Sequence, residues 1–311
     1  MPVSREQAPN GFAEFNLAPS LMKGIQKMGF TSPRPIQAQT LPAALDGNDV
    51  LGLAPTGTGK TAGFALPILE RILSNPNRGP SALILAPTRE LAAQITQEIQ
   101  SLSQFTRIKS ISIFGGVSQK PQVSGLRNRP DIIVACPGRL LDLIDQGHAK
   151  IGKIETLVLD EADHMFDMGF LQAIRKILKH LPKQRQNLLF SATMPDAIRR
   201  LANDMLSKPH VVELAHKKPL KLIEQVLYSV HPKQKLRLLE HLFETDSMTR
   251  AIVFTRTKRG AKRLAEKLDR GHHRAVALQG NMSQSQRERV MKGFRSCQFD
   301  VLVATDIAAR G

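Results

Sequence analysis

Short apolar runs alternate with helical patterns along almost the whole chain. The apolar runs are typical of buried strands, and they lie at Val50–Leu53, Ala82–Leu85, Ser110–Phe114, Ile132–Ala135, Thr156–Leu159 and Leu188–Phe190. Amphipathic stretches lie between most of them, for example at Arg89–Leu102, Arg139–Ile144 and Phe170–His180. This alternation predicts an α/β fold with a parallel sheet, in which ligands bind at the carboxyl ends of the strands.

The pattern breaks around Ser207–Leu222, where Pro209, Pro219 and a basic run interrupt the periodicity. Alternation then resumes, with strands predicted at Val226–Val230, Ala251–Phe254, Ala275–Leu278 and Val301–Ala304. Helices are predicted at Lys233–Phe243, at Lys258–Asp269, and from a capping box at Ser283 to Phe294. We therefore expect a first domain at residues 1–208, a linker at 209–222 and a second, similar domain at 223–311.

A glycine-rich turn, Ala54-Pro-Thr-Gly-Thr-Gly-Lys-Thr61, joins the first strand to a helical pattern. Such a turn points backbone N–H groups at one place, and the helix N-terminus adds a partial positive charge. Lys60 can reach the outer phosphates of a bound nucleotide, and the Thr61 hydroxyl can hold Mg²⁺. Because the usual motif begins with Gly rather than Ala54, an ordinary strand-to-helix turn is the alternative interpretation.

A cluster of carboxylates, Asp160-Glu161-Ala162-Asp163, follows the apolar run Thr156–Leu159. Asp160 can face the phosphates and hold Mg²⁺ through water, while Glu161 can polarise an attacking water. Acidic capping of a helix start is the alternative interpretation for four such residues in isolation. Combined with the phosphate loop, the cluster predicts a hydrolase site with Lys60, Asp160, Glu161 and Asp163 as its catalytic residues.

The charge of the chain indicates a polyanionic partner. Lys and Arg number 44 against 27 Asp and Glu, a net charge of +17, and residues 216–311 contribute +11 of it, from 20 basic and 9 acidic side chains. Nucleic acid is the commonest partner of such a surface, although solvated helix faces would also explain it. With one Tyr and no Trp, contacts to backbone phosphates are favoured over stacking on bases.

The composition favours a protein of the reducing cytoplasm. No apolar run is long enough to span a bilayer, and the polar N-terminus lacks the apolar core of a signal peptide. Cys136 and Cys297 are far apart, without the spacing of a zinc site or a disulfide framework. We therefore expect no membrane association and no structural metal.

Further motifs follow one another in a specific order. Phe12 precedes Gly29-Phe-Thr-Ser-Pro-Arg-Pro-Ile-Gln37, and then come Ala86-Pro-Thr-Arg-Glu-Leu91, Gly115-Gly116, Pro137-Gly-Arg139, Ser191-Ala-Thr193, Ile252-Val-Phe-Thr-Arg-Thr257, Gln279-Gly280 and Ala304-Thr-Asp-Ile-Ala-Ala-Arg-Gly311. With the phosphate loop and the acidic cluster, this ordered set resembles the DEAD-box ATP-dependent RNA helicases over residues 12–311. The phosphate loop of that family begins with Ala. The resemblance implies two tandem RecA-like domains, with ATP and Mg²⁺ as cofactors and RNA as partner.

The resemblance also implies a role for particular residues. Gln37 would read the adenine edge beside Phe30, supported by Phe12, and the nucleotide would further contact Pro55, Thr56, Gly57, Thr58, Gly59, Lys60, Thr61 and Asp306. RNA would contact Pro87, Thr88, Arg89, Gly115, Gly116, Pro137, Gly138, Arg139, Thr255, Arg256, Gln279, Gly280 and Thr305. Ser191 and Thr193 would couple the nucleotide site to domain closure through hydrogen bonds to Asp163. Taken alone, Gln37 and Arg89 could be surface side chains, and Ser191 and Thr193 could cap the helix near Pro195.

The function that follows is an ATP-dependent RNA helicase, expected as a monomer, that separates short duplexes locally. Its candidate protein partners are RNA-processing or ribosome-assembly proteins. The alternatives are an ATP-dependent RNA clamp or scaffold without unwinding, and a DNA-directed translocase with the same phosphate loop.

The chain departs from the family pattern at Gly311, before the motif that would supply arginine fingers to the transition state. We therefore expect a truncated second domain that ends on its Val301–Ala304 strand, with an unpaired strand edge left open in its sheet. For this chain we expect ATP binding and some RNA binding, but weak or absent hydrolysis. The alternative is that the organism's protein continues beyond Gly311.

Overall fold

The computed structural model describes residues 11–76, 79–214, 224–245 and 249–305. The chain divides into two compact units, Met1–Lys217 and Lys218–Gly311. Within the described ranges, no helix is both long and apolar enough to cross a membrane.

The first unit begins with a 3₁₀ turn at Phe12–Phe15. Its helices and strands are α1 (Pro19–Lys27), α2 (Pro35–Leu45), β1 (Val50–Leu53), α3 (Lys60–Ser74), β2 (Ala82–Leu85), α4 (Arg89–Leu102), β3 (Ser110–Ile113), α5 (Lys120–Arg127), β4 (Ile132–Ala135), α6 (Pro137–Asp145), β5 (Thr156–Leu159), α7 (Ala162–Asp167), α8 (Leu171–Leu178), β6 (Gln186–Ser191), α9 (Asp196–Met205) and β7 (His210–Glu213).

All seven strands form one parallel sheet in the order β3-β4-β2-β5-β6-β1-β7. The central strands β2, β4, β5 and β6 are buried throughout because helices cover both faces of the sheet. In β2, for example, Ala82 and Ile84 pack into the core on one face, while Leu83 and Leu85 pack into the core on the other. The α/β fold with a parallel sheet is therefore confirmed.

The strand order decides which loops meet at the carboxyl edge of the sheet. β1, β6 and β5 are neighbours, so the phosphate loop, Ser191 and the acidic cluster lie side by side. β2, β4 and β3 are also neighbours, and the predicted RNA-contacting loops follow these three strands. The nucleotide motifs and the RNA motifs thus occupy adjacent halves of one edge.

The predicted linker at 209–222 starts too early. β7 (His210–Glu213) pairs in parallel with β1, so these four residues belong to the first sheet. β7 is a short edge strand, and of its side chains only Val212 is buried. A strand with so little apolar periodicity next to Pro209 resembles a linker in sequence. Residues 215–223, the rest of the predicted linker, lie outside the described residues.

The second unit contains a 3₁₀ turn at Pro232–Gln234, followed by α10 (Lys235–Thr245), β8 (Ala251–Thr255), α11 (Lys258–Arg270), β9 (Ala275–Leu278), α12 (Gln284–Arg295) and β10 (Val301–Thr305). Its described strands form a parallel sheet in the order β8-β10-β9. The capping box at Ser283 is present: its side chain accepts from the Gln286 backbone, and the Gln286 side chain accepts from the Ser283 backbone. The predicted βαβ architecture is therefore repeated.

One expectation for this unit is wrong, because residues 226–230 do not form a strand. No described strand pairs with them, and Leu227 is 95% exposed. β10 (Val301–Thr305) pairs on both sides, and the edges of the described sheet are β8 and β9.

A close contact between α1 and α4 generates a prediction about stability. A Cβ at Gly24 would overlap the backbone carbonyl of Leu102, which cannot rotate away. We expect Gly24→Ala to lower the free energy of unfolding of the first unit by about 1–3 kcal/mol, the usual cost of overpacking. The measurement is urea unfolding.

The control for this experiment is Gly152→Ala, because no atom lies within 4 Å of a Cβ at Gly152. Its free energy of unfolding should stay close to that of the wild type. Equal stability of the two variants would contradict the packing seen at Gly24.

Candidate functional site

A cavity of about 500 Å³ opens at the carboxyl edge of the first sheet. Its walls come from the segment after α1, from α2, the phosphate loop and the start of α3, from α4, and from the residues that follow β5. The lining residues are Met28, Phe30, Arg34, Gln37, Thr56, Gly57, Gly59, Lys60, Thr61, Leu91, Gln94, Gln97, Glu98, Ser101, Asp160 and Glu161. Six of the predicted nucleotide-binding positions on the loop and helix α2, with Phe30, therefore meet in one place.

The phosphate loop is held open by its backbone and by two side chains behind it. Gly57 and Gly59 have φ angles of 78° and 88°, in the left-handed region that favours glycine. Arg34 Nη1 donates to the Gly57 carbonyl at 2.7 Å, and Gln37 Nε2 donates to the Gly59 carbonyl at 2.8 Å. Because these two carbonyls are held by hydrogen bonds, the loop keeps its shape, in which backbone N–H groups can bind an anion.

Gln37 lies deeper than the predicted adenine contact suggests. Its side chain is buried, and its oxygen accepts from the Arg34 backbone N–H at 2.8 Å while its nitrogen donates to Gly59. Both halves of the amide are therefore used within the protein, and adenine recognition by Gln37 stays a prediction. Nearby, Phe12 is buried and stacks on Phe30, with ring centroids 6.3 Å apart. This stacking supports Phe30 where it lines the cavity.

The two central charges of the site face each other inside the protein. Lys60 Nζ donates to the Ala54 carbonyl at 3.2 Å and lies 4.0 Å from Asp160 Oδ1. Asp160 is 2% exposed. Burial raises the pKa of Asp160 to about 6, although Lys60 counteracts the shift and Glu161 adds to it. A cation beside Asp160 would favour its charged form.

Mg²⁺ is suited to this end of the cavity. The Thr61 hydroxyl and the Asp160 carboxylate are hard oxygen donors that line it. Among the described residues, no group of three or more His, Cys, Asp or Glu side chains could hold a metal by itself. Mg²⁺ is commonly held by one or two carboxylates together with waters and substrate phosphates. Thr61 and Asp160 could hold it in this way.

Glu161 occupies a backbone conformation that costs energy. Its φ and ψ are 54° and 53°, a left-handed conformation that non-glycine residues adopt rarely. The conformation directs the residue to the cavity wall at the start of α7. Its Oε2 lies 3.2 Å from Nδ1 of His164, a residue to which the sequence motifs assign no role.

Asp163 joins the acidic cluster to the end of β6. Its Oδ2 accepts from both the backbone and the hydroxyl of Thr193, at 2.9 and 2.7 Å, and its N–H donates to Ser191 Oγ. Burial raises the pKa of Asp163, but these hydrogen bonds and one from the His164 backbone outweigh it, so the pKa lies below the ordinary value. The predicted contact is present, and α9 has no side-chain cap from Ser191 or Thr193.

Among the cavity residues that sequence reasoning missed, Arg34 and Glu98 carry charge. Burial raises the pKa of Glu98, while a hydrogen bond with Thr61 and the charge of Arg34 lower it. Glu98 thus places a third carboxylate at the phosphate end of the cavity. Glu98 lies two helical turns after Leu91 on α4, and both residues line the cavity. Helical spacing from the motif that begins at Ala86 could therefore have identified Glu98, once that motif was known to line the cavity.

The predicted RNA-contacting residues of the first unit cluster after β2, β3 and β4. The Arg89 guanidinium packs directly on Gly116, where a Cβ would overlap it. Arg139 donates to the Val117 carbonyl at 3.3 Å, and Thr88 caps α4 by accepting from the Leu91 N–H. Pro87 and Pro137 are buried beneath them, with Gly115 and Gly138 partly exposed. Two arginines therefore converge on one glycine-rich loop.

In the second unit, the predicted RNA-contacting residues lie after β8 and β9 and at the end of β10. Thr255 Oγ1 lies 3.4 Å from the Ala304 carbonyl, and Lys258 Nζ donates to Asn281 Oδ1 at 3.1 Å, next to Gly280. Arg256 is exposed, whereas Gln279 is partly buried and Thr305 is buried. Asp306, the predicted nucleotide contact of this unit, lies outside the described residues.

Comparison with known proteins finds two family models along the chain. The DEAD/DEAH box helicase model matches residues 34–201, and the helicase conserved C-terminal domain model matches residues 234–311. The first match spans every nucleotide motif of the first unit except Phe12 and Phe30. The second covers the described part of the second unit from the 3₁₀ turn onward.

Curated relatives match almost the whole chain. The DEAD-box ATP-dependent RNA helicase CshA of Geobacillus kaustophilus is 42% identical over 301 residues, which is 96% of this chain and 64% of the relative. CshA of Bacillus subtilis is 43% identical over 302 residues, covering 96% of this chain and 61% of the relative. The chain thus spans less than two thirds of the length of these relatives.

Solved structures resemble the fold of the chain. S. cerevisiae Dbp5 bound to RNA and ADP BeF3 matches with a TM-score of 0.84 at 33% identity, covering 97% of this chain and 77% of that one. A DEAD box protein from Methanococcus jannaschii matches with a TM-score of 0.63 at 38% identity, covering 97% of this chain and 81% of that one. The two RecA-like folds expected from the sequence are therefore confirmed.

The opposite pKa shifts of two neighbouring carboxyls generate a prediction about pH. The pKa of Asp160 rises from 3.8 to about 6 on folding, so its ionisation destabilises the fold as pH rises through this window. Without nucleotide or Mg²⁺, Asp160→Asn should therefore be more stable than the wild type at pH 8, by about 3 kcal/mol. The difference should vanish below pH ~4. The measurement is urea unfolding at several pH values.

Asp163→Asn is the matched control with the opposite sign. The pKa of Asp163 is lowered on folding, so its ionised form stabilises the fold above its unfolded pKa. Asp163→Asn should be less stable than the wild type at pH 8, with a smaller deficit as pH falls. Destabilisation of both variants at pH 8 would contradict the cost assigned to the buried Asp160 carboxylate.

Proposed function

Because the chain belongs to the DEAD/DEAH box helicase family, we propose that it is an ATP-dependent RNA helicase. It binds ATP in the cavity of the first unit, binds single-stranded RNA and separates short duplexes locally. The observation that carries the proposal is the meeting of Lys60, Thr61, Asp160 and Glu161 in one cavity beside the loops that follow β2, β3 and β4.

The nucleotide site suits a bound triphosphate. The loop N–H groups and the N-terminus of α3 attract the phosphates, and Lys60 adds a charge close to Ala54. Mg²⁺, when bound, neutralises charge on the phosphates as the terminal phosphoryl group is transferred. Thr61 and Asp160 would hold the ion, and Phe30 would cover the base.

In the proposed hydrolytic step, Glu161 activates the attacking water. Its carboxylate accepts a proton from the attacking water, whose oxygen bonds to the terminal phosphorus as the bond to the leaving ADP oxygen breaks. Lys60 stabilises negative charge on the phosphates. Asp163 holds Ser191 and Thr193 and thereby links the acidic cluster to the loop after β6.

RNA is the proposed partner because the side chains near the glycine-rich loop suit a phosphate backbone and because the relatives are named RNA helicases. Arg89 and Arg139 are suited to bidentate contacts with phosphate, and Gly115 and Gly116 allow close approach of a backbone. The positive charge is concentrated in residues 216–311. The relatives are named RNA helicases, and the matching Dbp5 structure contains RNA. If both ligands favour the same closed state, each raises the affinity for the other.

We also propose a reducing compartment, the cytoplasm, and a monomeric chain. Both cysteines are free, with Cys136 buried and Cys297 exposed. Burial raises the pKa of Cys136 to about 12, which makes its thiol unreactive at neutral pH.

The first test is ATP hydrolysis by this chain with and without single-stranded RNA, beside Lys60→Ala and Glu161→Gln. The proposed helicase activity predicts RNA-stimulated turnover in the wild type, and weak or absent hydrolysis is the opposite outcome, which is expected from the sequence for a truncated second domain. Lys60→Ala should lose ATP binding, because the phosphates lose their buried cation, and Glu161→Gln should bind ATP normally but turn over at least 100-fold more slowly.

DNA of the same sequence is the matched control ligand, since only RNA offers a 2′-OH. Equal stimulation by DNA would favour a DNA-directed translocase. ATP-dependent RNA binding without turnover would favour an RNA clamp. Unchanged turnover in Glu161→Gln would refute the assignment of the base.

A second prediction concerns the RNA track. Arg89→Ala should weaken RNA binding about 10-fold and reduce the slope of log K against log salt by about 0.7, the contribution of one phosphate contact on a single strand. ATP affinity without RNA should not change. The measurement is fluorescence anisotropy of labelled RNA at several salt concentrations.

Arg127→Ala is the control with the same change of charge. Arg127 ends α5 just before β4, at the amino edge of the sheet and away from the loops that carry Arg89. An equal loss of RNA affinity in both variants would indicate a diffuse effect of net charge rather than a track at the carboxyl edge.

A further inference from the structure

His164 lies one helical turn after Glu161 and contacts it directly. Its Nδ1 is 3.2 Å from Glu161 Oε2, and the two side chains are only 10% and 18% exposed. A carboxylate can only accept hydrogen bonds, so Nδ1 must carry the hydrogen. With so little exposure, water competes weakly for this hydrogen bond.

The backbone of His164 makes a second connection. Its N–H donates to Asp163 Oδ1 at 3.0 Å, while Asp163 Oδ2 accepts from Thr193. One residue therefore contacts two of the three acids of the cluster, Glu161 through its side chain and Asp163 through its backbone. The orientation of Glu161 is in this way tied to the network at the end of β6.

His164 does not belong to the set of residues that line the cavity, whereas Glu161 does. The imidazole thus occupies one oxygen of the Glu161 carboxylate from behind and leaves the other to accept from water. Glu161 also carries a left-handed backbone conformation, so both ends of this residue are constrained. Constraint from both sides is expected of a group whose direction matters.

We infer that His164 is a positioning residue that orients the Glu161 carboxylate for activation of the attacking water. The inference rests on the proposed function. An i, i+3 pair on a helix can also be purely stabilising, and this ordinary role would affect folding without a specific effect on turnover. The experiment must therefore separate turnover from both binding and stability.

Three substitutions separate these roles. The amide nitrogen of Asn is the same number of bonds from Cα as Nδ1 of His. The amide nitrogen of Gln is one bond further from Cα and corresponds to Nε2 of His. Leu fills a similar volume without a donor. His164→Asn therefore keeps a donor where Glu161 needs it, His164→Gln misplaces it, and His164→Leu removes it.

The measurement is single-turnover ATP hydrolysis with saturating RNA, with ATP affinity and thermal midpoint measured in parallel. We expect turnover to fall about 10-fold in His164→Leu and His164→Gln, the effect of one lost charge-assisted hydrogen bond. His164→Asn should stay within about 3-fold of the wild type. KM for ATP should change less than 2-fold in all three variants.

Affinity for ADP with aluminium fluoride, a mimic of the transferring phosphoryl group, gives a readout that needs no turnover. It should fall in parallel with turnover in His164→Leu, while affinity for a non-hydrolysable ATP analogue stays unchanged. The inference would be overturned, and the proposed function left standing, if His164→Leu kept the turnover and the mimic affinity of the wild type. Equal losses of turnover in His164→Asn and His164→Gln would have the same meaning. A wild-type chain without RNA-stimulated turnover and without affinity for either nucleotide would overturn the proposed function.

Discussion

The buried carboxylate of Asp160 is the constraint on which the nucleotide site depends. β5 is the middle strand of its sheet, so the residue that follows it is covered from all sides and is 2% exposed. Removing a charge from water is costly unless another charge and hydrogen bonds compensate it. Lys60 and the Glu161 backbone N–H supply part of that compensation. The site therefore favours the binding of a further cation. Without that cation, the buried carboxylate lowers the stability of the fold.

The parallel topology supplies the rest of the arrangement. Lys60 and Asp160 are 100 positions apart in sequence, yet β1 and β5 are separated only by β6. Since the strands of this sheet all run in the same direction, the loops that carry the phosphate-binding, acidic and predicted RNA-contacting motifs of the first unit emerge at the same edge. Gly24 and Leu102 show how tightly the helices pack around this edge, because α1 and α4 meet at a glycine.

Local sequence patterns predicted the buried strands well because each is an apolar run covered on both faces. The same criterion failed where burial is partial or depends on a distant partner. β7 buries only Val212 and so was predicted as linker, whereas residues 226–230 look like a strand but pair with no described one. Local apolarity reports what a segment could bury, and pairing depends on which neighbours are present.

In the candidate site, too, local sequence patterns identify some residues, whereas others depend on contacts that form only in the folded chain. The motif residues that line the cavity could be named from the sequence, since motifs record chemistry at fixed spacing. The motifs do not identify Arg34, Glu98 and His164, because their roles follow from contacts with Gly57, Thr61 and Glu161 in three dimensions. His164 lies three positions after Glu161, but Glu161 precedes α7 in a left-handed conformation, so their contact does not follow from helical spacing alone.

The edge strand β8 has a consequence for the behaviour of the chain in solution. Among the described strands it pairs on one side only, and Ile252 and Phe254 on it are about half exposed. An open edge with apolar side chains invites pairing between copies, whereas a net charge of +17 keeps copies apart. Salt screens that repulsion over about 10 Å at 0.1 M and leaves the apolar attraction intact. An ionic strength that would weaken the proposed RNA binding would therefore also favour self-association, and solubility and RNA release would oppose each other in this chain.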